Sequence, residues 1–200
     1  MKQIEEKNHF LVFEDWYKQA CDHKDIMQPN AMNIATVNKE GYPSSRMVLL
    51  KSFDDNGFVF YTNLDSKKGQ AIKENPNVAL CFYWEKINKQ IRIEGQAFIV
   101  EDKEADKYFD SRPFRSRLGA WVSKQSQPME SGVDLLKNAL NYGVKMGFKK
   151  VPRPPFWSGF RVKPKNIEFW RDGSSRLHDR VLFYRDNHES KNWSQIKLYP

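Results

Sequence analysis

The chain has 200 residues, 40% of them hydrophobic and 14% aromatic, which suits one domain with a packed core and argues against a disordered chain. Its formal net charge of +8 points toward anionic partners: nucleic acid, a membrane surface or phosphorylated small molecules. Cys21 and Cys81 match no metal or redox spacing, no run reaches transmembrane length, and the first residues lack the apolar stretch of a signal peptide, so a cytoplasmic setting without disulfides or membrane attachment is expected.

Residues 1–25 are expected to carry an N-terminal helix, because Phe10, Phe13, Trp16, Tyr17 and Ala20 recur at helical spacing within 8–24. Strand-like runs follow at 31–38, 44–53 and 58–63, the last two separated by the hairpin signal Asp-Asp-Asn-Gly. Residues 65–76 read as a short helix, capped by Asp65 or Ser66 and stopped by Pro76. A second hairpin is predicted from 77–85 and 90–102, then helical stretches at 103–112 and 116–123. A further amphipathic helix over 131–148 would place Val133, Leu136, Leu140 and Val144 on one stripe, and Pro152, Pro154 and Pro155 end it. Strand-like segments at 159–172, 175–186 and 192–200 finish the chain. Short meandering strands with interspersed helices predict a mainly β architecture, an antiparallel barrel or sandwich with flanking helices, rather than a βαβ series.

Common catalytic signatures are absent: no Gly-rich dinucleotide fingerprint, no P-loop, no HExxH. The four histidines do not cluster, so no metal site is expected, and His9, His23 and His188 read as surface residues. Several basic clusters remain. Arg46 and Lys51 bracket an apolar centre, and their odd separation puts them on opposite faces of a flat strand unless a bulge intervenes; from spacing alone an ordinary strand with charged ends is the favoured reading. Lys67 and Lys68 occupy the first turn of a helix, where they oppose its dipole, and a phosphate held with Ser66 would remove the conflict. A solvated basic turn fits the same residues equally.

Tyr108, Arg112 and Ser116 recur at every fourth position, an anion cradle if Pro113 does not break the helix between them. Gln125 and Ser126 suit the edge of a heterocycle, but are also common loop residues. Arg176, His178 and Arg180 alternate, so a strand would turn all three to one face, about 6.6–7 Å apart. Such a row of cationic groups needs an anion across it. Several separate clusters fit two phosphorylated ligands in one site better than nucleic acid, which calls for a continuous basic run.

The motifs Arg-Met-Val-Leu-Leu-Lys (46–51), Tyr-Thr-Asn-Leu-Asp-Ser-Lys-Lys-Gly (61–69), the stretch from Tyr108 to Pro128, the stretch from Pro154 to Trp170, and Arg-Leu-His-Asp-Arg (176–180) occur in this order. From about residue 10 to 200 the chain resembles the pyridoxine (pyridoxamine) 5′-phosphate oxidase family. The resemblance implies an antiparallel, Greek-key FMN-binding split barrel over 1–200, with residues 154–200 completing a site at a homodimer interface. It implies a cofactor shell for FMN made by Arg46, Met47, Val48, Lys51, Tyr61, Thr62, Ser66, Lys67, Lys68, Gln90, Gln125, Ser126, Trp170 and Arg180. Lys51, Tyr108, Arg112 and Ser116 would hold the substrate phosphate, while Arg176 and His178 would be the catalytic pair over the pyridine ring. The implied reaction is oxidation of a phosphorylated B6 vitamer by hydride transfer to FMN, with reoxidation by dioxygen.

The chain departs from the family pattern at Lys67 and Lys89, where Arg is usual, and in its last residues, Ile-Lys-Leu-Tyr-Pro. The family's N-terminal extension is expected to be missing or altered. A non-catalytic carrier of flavin or pyridoxal phosphate on the same barrel is the alternative, disfavoured because a carrier has no need of Arg176 and His178.

Overall fold

A computed structural model describes residues 8–129, 132, 137, 141–143 and 151–200. In chain order it contains α1 (His9–Asp22), β1 (Ala31–Val37), β2 (Pro43–Leu49), β3 (Ser52–Asp54), β4 (Gly57–Asn63), α2 (Lys67–Glu74), β5 (Asn77–Trp84), β6 (Lys89–Ile99), α3 (Asp102–Ser111), α4 (Phe114–Val122), β7 (Trp157–Arg171), β8 (Asp179–Tyr184) and β9 (Ser194–Lys197). The helix expected over 131–148 lies mostly outside the described residues, as do residues 1–7 of the N-terminal segment. No described helix is long and apolar enough to cross a membrane.

All ladders are antiparallel, in the order β2-β1-β5-β6-β7-β4-β3, with β8 on β7 and β9 on β8. β2 and β3 lie at opposite ends of that order, yet only Leu50 and Lys51 separate them in the chain. Three Cα steps reach at most about 10 Å, so the sheet must curl until its two ends meet. The hydrogen bonds show the handover: Leu50 N–H donates to Asn30 O on the β1 side (2.8 Å), and Lys51 N–H donates to Val59 O on β4 (2.8 Å). The single strand expected over 44–53 is therefore two, because closing the barrel requires one ladder to end and the other to begin.

β7 pairs with β6 along most of its length. Its other edge is divided: 157–162 joins β4, and 166–171 joins β8. At the division the β6–β7 register shifts between Glu94 and Gly95, opposite Pro164. A proline lacks the amide a regular ladder needs, and a bulge tolerates it. Gly95 is required there, since a Cβ would stand 2.2 Å from Lys163 O. Beyond this point β8 and β9 extend the sheet along the second half of β7, and Val181 and Phe183 of β8 pack into the same core.

Alternation sorts the side chains. Met32 and Ile34 of β1, Leu80 and Phe82 of β5, and Ile91 and Ile93 of β6 face the core. α1, started by Asn8 accepting the Phe10 amide (2.9 Å), covers that core. Phe13 meets Phe53, Phe58 and Phe82 edge-on, and Trp16 meets Phe169 at 5.3 Å. Each such ring contributes about 2–3 kcal/mol by burial. His9, expected at the surface, is instead buried between Phe10, Phe183 and Trp193. It lies on the inward stripe of α1, and burial, helped by Arg185, lowers its pKa to about 4.

Candidate active site

A cleft of about 590 Å³ opens beside the β2–β3 break. Its walls include Met47, Val48, Lys51, Tyr61, Thr62, Lys68, Tyr108, Arg112, Ser116 and Gln125. Tyr108 and Arg112 stand at the end of α3 and Ser116 in α4, separated by Pro113, so one continuous helix is not what aligns them. The elbow at Arg112–Pro113 does so by turning α4 around the same opening. An aromatic stack forms one side: Tyr61 lies on Tyr108 at 4.0 Å and on Trp157 at 5.3 Å, nearly parallel in both cases. The Arg112 guanidinium sits 4.7 Å from the Trp157 ring. Its Nη1 is buried without a hydrogen-bond partner, and burial holds its pKa below the usual value.

A second cleft, about 550 Å³, adjoins the first through Gln125 and is lined by Thr36, Ser44, Arg46, Lys67 and Ser126, among others. Between the two lies the start of α2. Ser66 is fully buried; its hydroxyl donates to Asn63 O (2.7 Å) and accepts the Gly69 amide (3.3 Å), which caps the helix. Gly69 is needed at that close approach, because a Cβ would meet Leu64 O at 2.4 Å. Lys68 is only 8% exposed, and its ammonium reaches two neutral hydroxyls, Thr62 Oγ1 at 3.1 Å and Ser66 Oγ at 3.3 Å. Burial lowers its pKa, and the nearby Arg46 lowers it further. Arg46 donates to Thr36 Oγ1 (2.7 Å) and to Ser44.

Among the described residues no carboxylate pairs with Arg46, Lys51, Lys68 or Arg112. Lys51 is exposed, but Arg46, Lys68 and Arg112 are partly or largely withdrawn from water, and such cations facing hydroxyls and aromatic rings are costly without a counter-charge. The arrangement therefore fits two anions, one near Ser66, Lys68 and Arg46, the other near Lys51, Arg112 and Ser116. Tyr61, with its pKa pushed up to about 12 mainly by burial, remains a neutral phenol and supplies ring surface.

The remaining expected residues lie elsewhere, Gln90, Trp170 and Arg180 on β6, β7 and β8 and Arg176 and His178 in the turn before β8, and none lines either cleft. Gln90, Trp170 and Arg180 form one cross-strand row, since Gln90 stands opposite Trp170 and Trp170 opposite Arg180. Glu168, on the same side of β7, accepts from Arg180 Nε (2.9 Å) and Nη2 (2.8 Å) and from Arg92 Nη1 (3.0 Å). The strand expected to carry Arg176, His178 and Arg180 together is shorter than its pattern: β8 begins at Asp179, and Arg176 sits in a 3-10 turn over 174–176. Arg176 and Ser175 have φ of 63° and 57°, a left-handed pair that reverses the chain and leaves Arg176 exposed. His178 and Arg180 keep the shared face; Arg176 does not belong to the strand row.

Sequence reading missed Trp157, whose position directly after a proline-rich breaker hid that it starts β7 and stacks in the cleft. It also missed Thr36, the buried hydroxyl under Arg46, and Glu168, the acid that holds Arg180. An inward polar position on an otherwise apolar strand face was the available signal for Thr36.

The family model of pyridoxamine 5′-phosphate oxidase matches residues 22–144, and that of the pyridoxine 5′-phosphate oxidase C-terminal dimerisation region matches residues 157–200. The chain is 51% identical over 191 residues to a pyridoxine/pyridoxamine 5′-phosphate oxidase of Bartonella henselae, covering 96% of this chain and 92% of that one. It is 47% identical over 196 residues to the protein of that name in Allorhizobium ampelinum, covering 98% and 94%. Among solved structures it is similar to PhzG from Burkholderia lata in complex with tetrahydrophenazine-1-carboxylic acid (TM-score 0.88, 31% identity, 96% and 92% covered). A pyridoxamine 5′-phosphate oxidase-related, FMN binding protein from Nostoc punctiforme shares the fold (TM-score 0.77, 14% identity, 97% and 99% covered). Two models of one family together account for most of the sequence, and relatives of that name match almost end to end: the chain belongs to the pyridoxine/pyridoxamine 5′-phosphate oxidase family.

Proposed function

We propose that the chain oxidises pyridoxine 5′-phosphate or pyridoxamine 5′-phosphate to pyridoxal 5′-phosphate, using FMN, at a site completed by a second copy of itself. The observation that carries this reading is the pair of cationic positions without a carboxylate partner in adjoining clefts, Lys68 with Arg46 in one place and Arg112 in the other, one for each phosphate; Glu40, Asp65 and Glu74 line the second cleft but pair with neither Arg46 nor Lys68. Arg46, Ser66, Lys67 and Lys68 hold the FMN phosphate, and Met47, Val48, Lys51, Tyr61, Thr62, Gln125 and Ser126 complete that subunit's share of the shell. Lys51, Tyr108, Arg112 and Ser116 clamp the substrate phosphate. Gln90, Trp170 and Arg180, with Arg176 and His178, come from the second subunit, whose C-terminal region belongs to a dimerisation family.

The chemistry FMN supplies when bound is acceptance of the hydride that leaves the substrate's 4′ carbon, with dioxygen as final acceptor and hydrogen peroxide as product. The chain's own part is alignment. The Lys51–Arg112 clamp fixes one end of the substrate, and Arg176 and His178 close over the other. Trp157 and Tyr108 wall the cleft with apolar surface, which strengthens each charged contact inside it.

The purified protein is expected to be yellow, and pyridoxine 5′-phosphate is expected to bleach the flavin absorbance without air and peroxide to form on admitting it. A colourless protein that does not take up FMN overturns the reading. Substitution of Arg176 or His178 should cut turnover more than FMN affinity, and substitution of Ser66 or Lys68 the reverse; equal loss of flavin in both classes would contradict the assigned division.

A further inference from the structure

The β7–β8 hairpin places one acid in a position that no cleft residue explains. Its ladder ends with Arg171 opposite Asp179, so the next rung sets Asp172 directly across from His178. The side chains meet there: His178 Nδ1 lies 3.0 Å from Asp172 Oδ1. The five residues between them make a tight turn. A Cβ at Gly173 would stand 2.0 Å from Leu177 O, and the left-handed Ser175–Arg176 pair completes the reversal. Trp170 packs against the imidazole with ring centroids 4.9 Å apart. The ring is thus held on one side by Trp170 and at Nδ1 by the hairpin's own ends.

Two groups compete for Nδ1. The Gly173 amide lies 3.4 Å away and can only donate, which requires a bare nitrogen. The Asp172 carboxylate oxygen can only accept, which requires Nδ1–H. The shorter contact is the one to Asp172. We propose that Asp172 is a positioning residue that fixes His178 as the Nδ1–H tautomer, so that Nε2 carries the lone pair and accepts a hydrogen bond from the hydroxyl or amine being oxidised. In a neutral imidazole the bond made by one nitrogen decides the state of the other. The proposal rests on the reading of His178 as substrate-facing and deepens it.

The test is nitrogen-15 NMR of the flavin-loaded protein labelled in histidine, with His178 assigned from the signals lost in His178→Gln. Nδ1 of His178 should show the shift of a protonated nitrogen and Nε2 that of a bare one. In Asp172→Ala the Gly173 amide is the remaining partner, so the two signals should exchange character. Turnover should then fall about tenfold with FMN affinity and substrate KM little changed. Asp172→Asn, whose side-chain oxygen still accepts, should restore the tautomer and most of the turnover, and it serves if the alanine variant does not fold. A bare Nδ1 in the unsubstituted protein, or unchanged tautomer or turnover in Asp172→Ala, overturns the proposal. Full turnover in His178→Gln would instead remove the substrate-facing role, while the NMR still decides the tautomer.

Discussion

The two halves of the site handle positive charge in opposite ways. In the cleft, Arg46, Lys51, Lys68 and Arg112 face hydroxyls and rings, with no carboxylate partner among the described residues. On the β6–β7–β8 face, Arg180 and Arg92 share Glu168, and His178 meets Asp172. A cation left unpaired in a low-dielectric pocket raises the energy of the empty protein and lowers it when an anion arrives. A cation already paired inside its own chain is held in place beforehand and gives geometry rather than charge. On the proposed reading, the cleft captures phosphates and the hairpin face holds a fixed shape against what the cleft has captured.

Substitutions should therefore change sign between the regions. The largest effect is expected for Arg112→Ala: kcat/KM for pyridoxine 5′-phosphate should fall about 100-fold, mostly through KM. Stability in urea should stay level or rise, because the orphaned Nη1 is removed. Lys68→Met should weaken FMN binding about 30-fold, again without loss of stability in the flavin-free protein; a clear drop in its urea midpoint would erase the contrast. On the other face, Glu168→Gln should cost about 1 kcal/mol of stability, measured by denaturant unfolding, because Arg180 loses its only carboxylate among the described residues and keeps the Tyr199 carbonyl, while Arg92 keeps Glu94.

An equally small effect tests the core rather than the site. His9 has a folded pKa near 4 against 6.5 for an exposed histidine. The unfolded chain therefore takes up the proton first as pH falls below 6.5, and stability drains away until about pH 4, where the folded state also protonates. At pH 5.5 the loss is about 1 kcal/mol. His9→Phe should flatten this part of the acid limb, seen as urea midpoints that change less between pH 7 and 5.5 than in the unsubstituted protein.

Much of this was legible in the sequence, for identifiable reasons. The Phe10–Phe13–Trp16 stripe, the Asp-Asp-Asn-Gly turn and the β5–β6 hairpin declare themselves by local periodicity and turn chemistry. The conflict of Lys67 and Lys68 with their helix dipole marked the start of α2 as an unusual basic position from local rules alone, and the structure finds Lys68 buried there among hydroxyls. What stayed hidden depends on closure. The break at Leu50–Lys51 exists because opposite ends of the sheet must meet, and no local feature of 44–53 reports it. Arg176 leaves the alternation because a tight turn, unmarked by glycine at the left-handed positions, precedes β8. His9 looked like surface because a polar residue on an apolar stripe is read by its own character, whereas the C-terminal hairpin that buries it lies about 175 residues away in sequence.

The central claim is that cleft and hairpin face from different copies make each site. Arg112→Ala and His178→Ala chains, each strongly impaired as a pure protein when pyridoxine 5′-phosphate is kept well below the KM of the Arg112→Ala chain, should regain activity when co-expressed as mixed dimers. Each mixed dimer then holds one site with both halves intact, and random assortment gives roughly a quarter of the unsubstituted specific activity. Mixed dimers, isolated by two different affinity tags, that show no activity above either parent would contradict the claim and return both halves to a single chain.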